Sequence, residues 1–378
     1  QASCTPCEAG KHQSSTGRSH CSQCNLGMYT SSTGSPDCSL CPEGKFADSV
    51  ESKTCKKCEH GQYTEQDGSD ACVAGTQLVD CGSCTFYKTP GGFLFREGSS
   101  PCTCSTLDLK ARTISQLGAS AFVNLSDVTE LDLDDNQIQH VRAGFISGLG
   151  SLERLRMGGN WLKVLPNETF SGLSGLTLLD LRSNQISALN EKTFLGLGSL
   201  TQLDLSNNTF TKMEDGAFPG LTKLQTLNLD SNSIVNISDA CFSDLESLLQ
   251  LYLRHNSMTV VPYRAFLGLA TLQDLRLDNN PFDTRAILNC GTDCEFYKTP
   301  NGVVLRNCPN PSDCTGQLDF GNKGITKILS GSFSGLSNVQ TLVLSDNQLT
   351  DIPDTTFVGL NNLDSLFLDE NQLEEVTE

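Results

Sequence analysis

The sequence predicts a solenoid of the α/β type, with short parallel strands and an irregular convex side, preceded by disulfide-rich repeats that have almost no core. Three regularities predict this organisation. A cysteine pattern recurs every 17 residues near the start, a leucine pattern recurs every 24 residues from residue 107 onward, and one longer segment recurs at an offset of 210 residues. Units this short cannot bury an apolar face alone, so each one must pack against its neighbours.

The first regularity is a run of cysteine pairs of the form C-x2-C-x2-G, each followed by an aromatic or histidine side chain. Of the 18 cysteines, 13 precede residue 105. Segments so poor in large apolar residues need covalent cross-links, and disulfides persist in secreted or cell-surface proteins. Zinc also binds paired thiolates, but the sequons for N-glycosylation favour secretion. They are Asn124, Asn167, Asn207 and Asn236.

Two disulfide connectivities fit the cysteine spacing. Bonding the second cysteine of each pair to the first of the next leaves Cys4 over, whereas bonding within each pair leaves Cys72 over. The first scheme gives the pairs Cys7 and Cys21, Cys24 and Cys38, Cys41 and Cys55, and Cys58 and Cys72.

The second regularity reads L-x-x-L-x-L-x-x-N-x-L. Its leucines are expected to point inward from short strands of one parallel sheet, with neighbouring strands about 4.8 Å apart. Each asparagine amide is expected to satisfy backbone groups that the turn after the strand leaves unpaired. A phenylalanine near the end of each unit is expected to stack under the convex side; these are Phe122, Phe145, Phe170, Phe194, Phe218, Phe242 and Phe266.

The third regularity is a repeated cap. Residues 84–92 and 294–302 carry nearly the same sequence around Pro-Gly-Gly or Pro-Asn-Gly, which predicts a β-hairpin in each copy. Four cysteines bracket each hairpin and are expected to form two disulfides per cap. They are Cys81, Cys84, Cys102 and Cys104 in the first copy, and Cys290, Cys294, Cys308 and Cys314 in the second.

These motifs resemble two known families. The cysteine spacing over about residues 1–75 resembles ephrin-receptor-like and TNF-receptor-like repeats. The leucine pattern over about residues 105–290 and 314–378 is similar to the typical class of extracellular leucine-rich repeats, as in Toll-like receptors, Slit proteins and the Nogo receptor. The resemblance implies a leucine-rich-repeat solenoid whose concave sheet binds proteins, glycans or lipids, and it indicates architecture better than partner.

The side chains of the concave sheet offer one candidate contact patch. Opposite charges on neighbouring strands are expected to pair with one another, which would leave little net charge for a ligand. The candidate patch combines an aromatic ring with two guanidinium groups, as interaction hot spots do. It consists of Tyr252, Arg254, His255 and Arg276. A glycan on Asn207 would obstruct a partner across the middle of the sheet, and Cys241 is expected to be a small buried residue.

Charge and motif content limit the function classes. The net charge is -18, which argues against binding to nucleic acid or anionic membranes. No apolar run is long enough to cross a bilayer. The sequence contains no phosphate-binding loop, no dinucleotide-binding turn, no nucleophile elbow and no calcium loop. We therefore expect no enzymatic activity, no cofactor and no metal site.

The sequence predicts three regions and a non-enzymatic extracellular or cell-surface function. The regions are residues 1–80, the cysteine-rich repeats; 81–289, a hairpin cap plus solenoid; and 290–378, a second cap plus the start of a second solenoid. The favoured function is structural or adhesive: a fragment of a long tandem array that assembles with other chains, copies of itself above all, into a fibre, sheath or cell-surface contact. The alternative is a receptor ectodomain that binds protein or glycan on the concave face.

Overall fold

A computed structural model of the chain describes residues 5–14, 20–98, 102–118, 121–146, 148–238, 240–259, 266, 269, 271–281, 285–290, 294–298, 303–307, 314–328, 332–333, 335–353 and 356–373. Its strands in the cysteine-rich part, called the array below, are β1 (Lys11–His12), β2 (Ser22–Gln23), β3 (Met28–Tyr29), β4 (Ser39–Leu40), β5 (Lys45–Phe46), β6 (Lys56–Lys57), β7 (Gln62–Tyr63) and β8 (Val73–Ala74).

The strands of the first cap and solenoid follow. They are β9 (Thr76–Cys81), β10 (Cys84–Lys88), β11 (Phe93–Gly98), β12 (Thr106–Asp108), β13 (Gln116–Leu117), β14 (Glu130–Asp132), β15 (Arg154–Arg156), β16 (Leu178–Asp180), β17 (Gln202–Asp204), β18 (Lys212–Met213), β19 (Thr226–Asn228), β20 (Asn236–Ile237), β21 (Gln250–Tyr252) and β22 (Asp274–Arg276). The second cap and solenoid contain β23 (Arg285–Cys290), β24 (Cys294–Lys298), β25 (Val303–Asn307), β26 (Gly316–Asp319), β27 (Lys327–Ile328), β28 (Val339–Val343) and β29 (Ser365–Phe367).

The array is a series of two-stranded antiparallel ribbons, each closed by one disulfide. The disulfides are Cys7–Cys21, Cys24–Cys38, Cys41–Cys55 and Cys58–Cys72. This is the first of the two connectivities considered above, and Cys4 lies outside the described residues. Glycine N–H groups connect consecutive units: Gly10 donates to the carbonyl of Thr30 at 2.9 Å, and Gly27 donates to that of Ala47 at 2.8 Å.

The first cap is a four-stranded sheet in the order β13-β11-β10-β9. Strands β10 and β11 form the antiparallel hairpin that the Pro-Gly-Gly turn predicts. Disulfides Cys81–Cys104 and Cys84–Cys102 join the cap to the start of the solenoid. Because β13 belongs to the solenoid and pairs in parallel with β11, the cap continues directly into the first 24-residue unit.

The solenoid presents one parallel sheet in the order β12-β14-β15-β16-β17-β19-β21-β22. Leucines at the strand centres align in register, for example Leu179 with Leu203 and Leu203 with Leu227, and all three are buried. On one flank, β18 and β20 form a small parallel ribbon. One continuous hydrophobic core runs from Cys81 to Leu277.

The asparagine of each unit hydrogen-bonds the turn of its own unit to the unit before it. The Asn208 amide nitrogen donates to the carbonyls of Leu181 and Leu205, both at 3.0 Å, and its oxygen accepts from the Ile186 N–H at 3.0 Å. Equivalent bonds recur down the solenoid. They are made by Asn136, Asn160, Asn184, Asn232, Asn256, Asn280, Asn347 and Asn371. The amides thus satisfy interior carbonyls that the turns leave unpaired.

The phenylalanine stack forms in most units. Phe170, Phe194, Phe218, Phe242 and Phe266 stack with centroid separations of 5.9–6.2 Å. The expectation for Phe145 is wrong, because the 24-residue register places Ile146 between Phe122 and Phe170, and Ile146 is fully buried. Phe145 is only half-buried and meets Phe122 edge-on at 6.4 Å.

The second cap repeats the topology of the first. Its sheet has the order β23-β24-β25-β27, strand for strand equivalent to β9-β10-β11-β13. Strands β26, β28 and β29 then begin a second parallel sheet. Cys314 is disulfide-bonded, whereas Cys308 and the side chains of Cys290 and Cys294 lie outside the described residues.

Candidate interaction surfaces

The last residues of the strands form a first column of side chains on the concave sheet, and several of them are acidic or amide. Asp132, Asp180 and Asp204 each accept a hydrogen bond from the backbone N–H two residues further on, at 2.8–3.0 Å. Asn228 does the same at 3.0 Å. These oxygens stabilise the turn that ends each strand, in the manner of Asx turns. The column therefore has a structural role that the sequence analysis missed.

The second column, two residues further along each unit, joins neighbouring strands. Asp134 Oδ1 accepts from the Gly158 N–H, and Asp230 Oδ1 accepts from the Arg254 N–H, both at 2.7 Å. Burial raises the pKa of Asp134 above its ordinary value, and the Gly158 N–H opposes that rise. Backbone donors thus stabilise the charged form of these carboxylates.

Guanidinium groups neutralise much of the remaining charge. Arg182 Nη2 lies 3.7 Å from Asp134 Oδ2, two units away, and Nη1 lies 3.4 Å from Asp180. Gly158 leaves room for this reach, because a Cβ there would stand 3.0 Å from Arg182 Cγ and 3.2 Å from Asp134 Oδ1. Lys110 lies 3.2 Å from Asp135. Carboxylates therefore pair with cationic groups both between neighbouring units and between units two apart.

The structure brings the four residues of the candidate patch to the far part of the same sheet. Arg254 forms hydrogen bonds with Asp230 at 2.8 and 2.7 Å, and its guanidinium lies 5.8 Å from the centroid of the Tyr252 ring. Arg276 pairs with Asp274 at 2.6 Å. His255 is exposed. The patch therefore offers an aromatic face and an imidazole, whereas both guanidiniums already have carboxylate partners.

These contacts change the acidity of the patch. Burial, with a further contribution from the Asp274 carboxylate, raises the pKa of the Tyr252 hydroxyl. The hydrogen bond to Asp230 raises the pKa of Arg254. Both groups therefore keep their protons at neutral pH, so the patch presents hydrogen-bond donors and an aromatic ring.

The four sequon asparagines are all exposed. Asn207 lies at the turn after β17 and its amide donates to Ser183 Oγ at 2.9 Å, whereas Asn236 lies in β20 on the flank. Asn124 has a φ of 57° in a turn. The positions are spread over different faces of the solenoid.

Cys241 is a thiol within the solenoid core, where it is 2% exposed and unpaired. Burial, together with Asp215 and Glu214, raises its pKa far above the ordinary range. Such a thiol is chemically inert. Across the described parts of the chain, no group of His, Cys, Asp or Glu side chains is arranged to hold a metal ion.

A junction of aromatic and acidic side chains joins the array to the cap. The Tyr63 ring stacks on Phe93 at 5.4 Å and on Phe95 at 4.7 Å. The Glu97 carboxylate accepts the Gly61 N–H with both oxygens at 3.0 Å, whereas Gly10 and Gly27 donate to backbone carbonyls and Gly44 donates to the Thr64 hydroxyl. His60 lies 2.5 Å from Glu97. The cap therefore takes the place of the next array unit.

Comparison with family models identifies both repeat types. The leucine rich repeat model matches residues 104–162, 158–210, 200–257, 222–282 and 317–373. The model described as tyrosine-protein kinase ephrin type A/B receptor-like matches residues 1–37 and 31–74. No curated protein matches the chain.

Two solved structures are similar to the chain. A chain in the crystal structure of a TLR13–ssRNA13 complex is 27% identical with a TM-score of 0.44, over 70% of this chain and 33% of that one. A chain in the octameric complex of Latrophilin 3, Unc5D and FLRT2 is 22% identical with a TM-score of 0.46, over 74% of this chain and 82% of that one. The present chain thus spans about a third of the first of these.

Receptor-like cysteine repeats followed by a leucine-rich solenoid are the components of extracellular or cell-surface ectodomains that interact with other proteins. None of the described segments is a helix of the length and apolarity needed to cross a membrane. Since the leucine rich repeat matches together cover more than half of the sequence, the chain belongs to the leucine-rich repeat family.

Proposed function

We propose that the protein is a non-enzymatic structural or adhesive protein of the extracellular space, built from tandem cap-plus-solenoid modules. The proposed regions are residues 1–80, 81–289 and 290–378. Its partners are other protein chains, copies of itself first among them. The resulting assembly is a fibre, a sheath or a cell-surface contact.

The observation that carries this proposal is the repeated cap. Sheet β23-β24-β25-β27 has the strand order of β9-β10-β11-β13, and each cap is followed by a parallel sheet. A receptor that presents one binding face needs one solenoid with a cap at each end. A module that recurs along the chain instead offers the same surface repeatedly, so weak contacts between chains reinforce one another.

The charge distribution of the concave sheet supports the same proposal. Asp134, Asp180 and Asp230 are occupied by backbone donors and by guanidiniums of the same sheet. Exposed pairs of this kind contribute only about 0–1 kcal/mol each. The sheet is therefore largely self-satisfied, which favours binding surfaces elsewhere on the solenoid.

Sedimentation velocity, with negative-stain electron microscopy of the same samples, tests self-assembly. The chain is expected to form oligomers whose size rises with concentration and which dissociate on dilution. A Cys241→Ser variant serves as the control, and its oligomers should match those of the wild type because this thiol is buried. Monomers at every concentration, or oligomers lost in the control, would contradict the proposal.

The receptor alternative has one specific observation in its favour. Tyr252 lies against Arg254 and beside exposed His255, so an aromatic ring and polar groups are presented together. If the concave sheet binds a protein or glycan, Tyr252→Ala should abolish capture of that ligand, and Gln202→Ala on β17 should not. A ligand that binds both variants equally would exclude the patch as its site.

A further inference from the structure

A cleft of about 410 Å³ lies where the array, the first cap and the first two solenoid units meet. The array contributes Glu65, the cap contributes Phe93, and the solenoid contributes residues 115–118 and 139–145. Ligand sites in proteins commonly occupy about 300–1,000 Å³. This junction cleft is therefore large enough for a small organic ligand, and none of its lining residues lies on a strand of the concave sheet.

The floor of the junction cleft is apolar. Phe93 and Val141 are 3% and 6% exposed, and Phe145 is half-buried. Phe145 is available here because Ile146 takes its place in the phenylalanine stack. The irregular second unit thus supplies an aromatic ring to the cleft that a regular unit would bury in the core.

The rim is polar, and several of its groups are unengaged. Gln116, Gln139 and His140 are exposed, and none of these side chains hydrogen-bonds to another residue within the described parts of the chain. Ser115 Oγ donates to the carbonyl of Gly91 at 2.9 Å and keeps its acceptor capacity. Two amides, an imidazole and a hydroxyl therefore surround the apolar floor.

The charges around the cleft disfavour an anionic ligand. Arg142 Nη2 lies 3.7 Å from Glu43 Oε1 of the array, and the other oxygen of Glu43 is buried with no hydrogen-bond partner. Glu65 adds a second carboxylate and accepts a hydrogen bond from Thr89. Two carboxylates against one guanidinium disfavour an anionic ligand, and the amides and the hydroxyl of the rim can hydrogen-bond to ligand hydroxyl groups.

The flank beside the cleft extends the apolar surface. The backbone N–H of Trp161 donates to the carbonyl of Ile138 at 2.9 Å, so the backbone of Trp161 lies beside the unit that carries Gln139 of the cleft wall. Trp161 is 43% exposed, and Val164, in register one unit beyond His140, is 65% exposed. An exposed indole next to a rim of amides suits a ligand with one apolar and one polar side.

We propose that the junction cleft binds a neutral oligosaccharide. The apolar faces of the sugar rings pack on Phe145 and Val141, and their hydroxyls hydrogen-bond to Gln116, Gln139 and His140. The sugar comes either from another molecule or from the chain itself. The chain itself can supply the sugar as an N-glycan on Asn167, because this sequon lies in register one unit beyond Ala143 of the cleft wall.

The chain contains one tryptophan, so its fluorescence reports on this flank alone. We expect a saturable change in Trp161 emission on titration of the unglycosylated protein with at least one of N,N′-diacetylchitobiose, mannotriose and maltotriose. Gln139→Ala and His140→Ala should each weaken that binding about five- to tenfold, as expected for the loss of one hydrogen bond. Gln202→Ala, an exposed glutamine on the concave sheet, should leave it unchanged.

Thermal unfolding of each variant should match the wild type, because the substituted side chains are exposed. The proposal is overturned if none of the three saccharides gives a saturable signal. It is also overturned if both cleft variants bind as tightly as the wild type, or if Gln202→Ala weakens binding as much as they do.

Protein produced with its N-glycans distinguishes the two sources. If the chain's own glycan fills the cleft, added saccharide should bind only after Asn167→Gln. If the ligand comes from another molecule, glycosylated wild type and Asn167→Gln should bind equally. Failure of both proteins to bind a saccharide that the unglycosylated chain had bound would overturn the assignment of the site, because Asn167→Gln removes the sequon in register with Ala143 of the cleft wall.

Discussion

The array and the solenoid are both series of short repeated units, and the two regions are stabilised in different ways. Each is built from units too short to fold alone. In the array, the buried hydrophobic side chains are Cys7, Cys24, Cys41 and Ala47 among the described residues, and disulfides close every unit. In the solenoid, one continuous core extends from the cap to Leu277 and the asparagine amides join each unit to the next.

This difference determines which perturbation destabilises each region. A disulfide that closes a loop of about 15 residues stabilises by about 3 kcal/mol, so the array depends on the redox state of its surroundings. The solenoid depends on burial, which scales with apolar area and does not require oxidation. The two regions should therefore respond to different perturbations, although the Tyr63 junction joins them.

The largest expected effect of a single substitution is in the solenoid core. Phe218→Ala should lower the free energy of unfolding of the solenoid by about 3–5 kcal/mol, since it removes a fully buried ring from the stack. Phe145→Ala should cost clearly less, because Phe145 is half-buried and outside the stack register. Urea unfolding monitored by circular dichroism compares the two, and equal losses would show that the stack does not determine solenoid stability.

The next effect concerns the asparagine amides. Asn208→Ala should destabilise the solenoid by about 2–3 kcal/mol, because it leaves the buried Ile186 N–H without its acceptor and removes one of the two amide donors to the carbonyls of Leu181 and Leu205. The control is Asn236→Ala, an exposed flank position expected to change stability by about 0.5 kcal/mol or less. The same urea titration measures both. Indistinguishable midpoints would mean that the amide bonds contribute nothing net.

A smaller effect is expected at the junction. Tyr63→Ala removes two ring stacks, each contributing about 0.5–1.5 kcal/mol, and should loosen the array from the cap without unfolding either. Limited proteolysis should then cut between the array and β9 more rapidly. Tyr29→Ala, at the same position two units earlier, is the control and should leave this cleavage rate unchanged. If both variants are cut alike, the junction is not held by Tyr63.

The smallest effect concerns Asp180. Burial raises its pKa above the ordinary 3.8, so the folded chain holds this proton more tightly than the unfolded chain, and stability falls as the pH rises above 3.8. Asp180→Asn keeps the acceptor oxygen, as Asn228 does in the wild type. The variant should gain up to about 1 kcal/mol relative to wild type at pH 7 and less at pH 4. A larger gain at pH 4 would reverse the assigned cause.

Periodic features could be predicted from the sequence because each position repeats. The inward leucines, the asparagine turns and the cap hairpin all follow from spacing. The register also contained the signal for Ile146, since counting 24 residues back from Phe170 reaches that residue and not Phe145. Phe145 stands directly before it, so residue type alone points to a position one residue out of register.

Contacts between regions could not be predicted in this way. The stacking of Tyr63 on Phe95 and the meeting of Glu43 with Arg142 depend on how the array meets the cap and solenoid, which no repeat pattern records. The role of the first acidic column was also missed. The presence of Asn228 among aspartates was the available signal, because an amide and a carboxylate share acceptor oxygens but not charge.

Hydrogen exchange measured by mass spectrometry, with and without a thiol reductant at neutral pH, tests the separate origins of stability most directly. On reduction, amides of the array should lose protection, whereas amides of β16, β17 and β19 in the middle of the solenoid should keep theirs. Loss of protection in β16, β17 and β19 at the same reductant concentration, or an array that stays protected after reduction, would contradict this account.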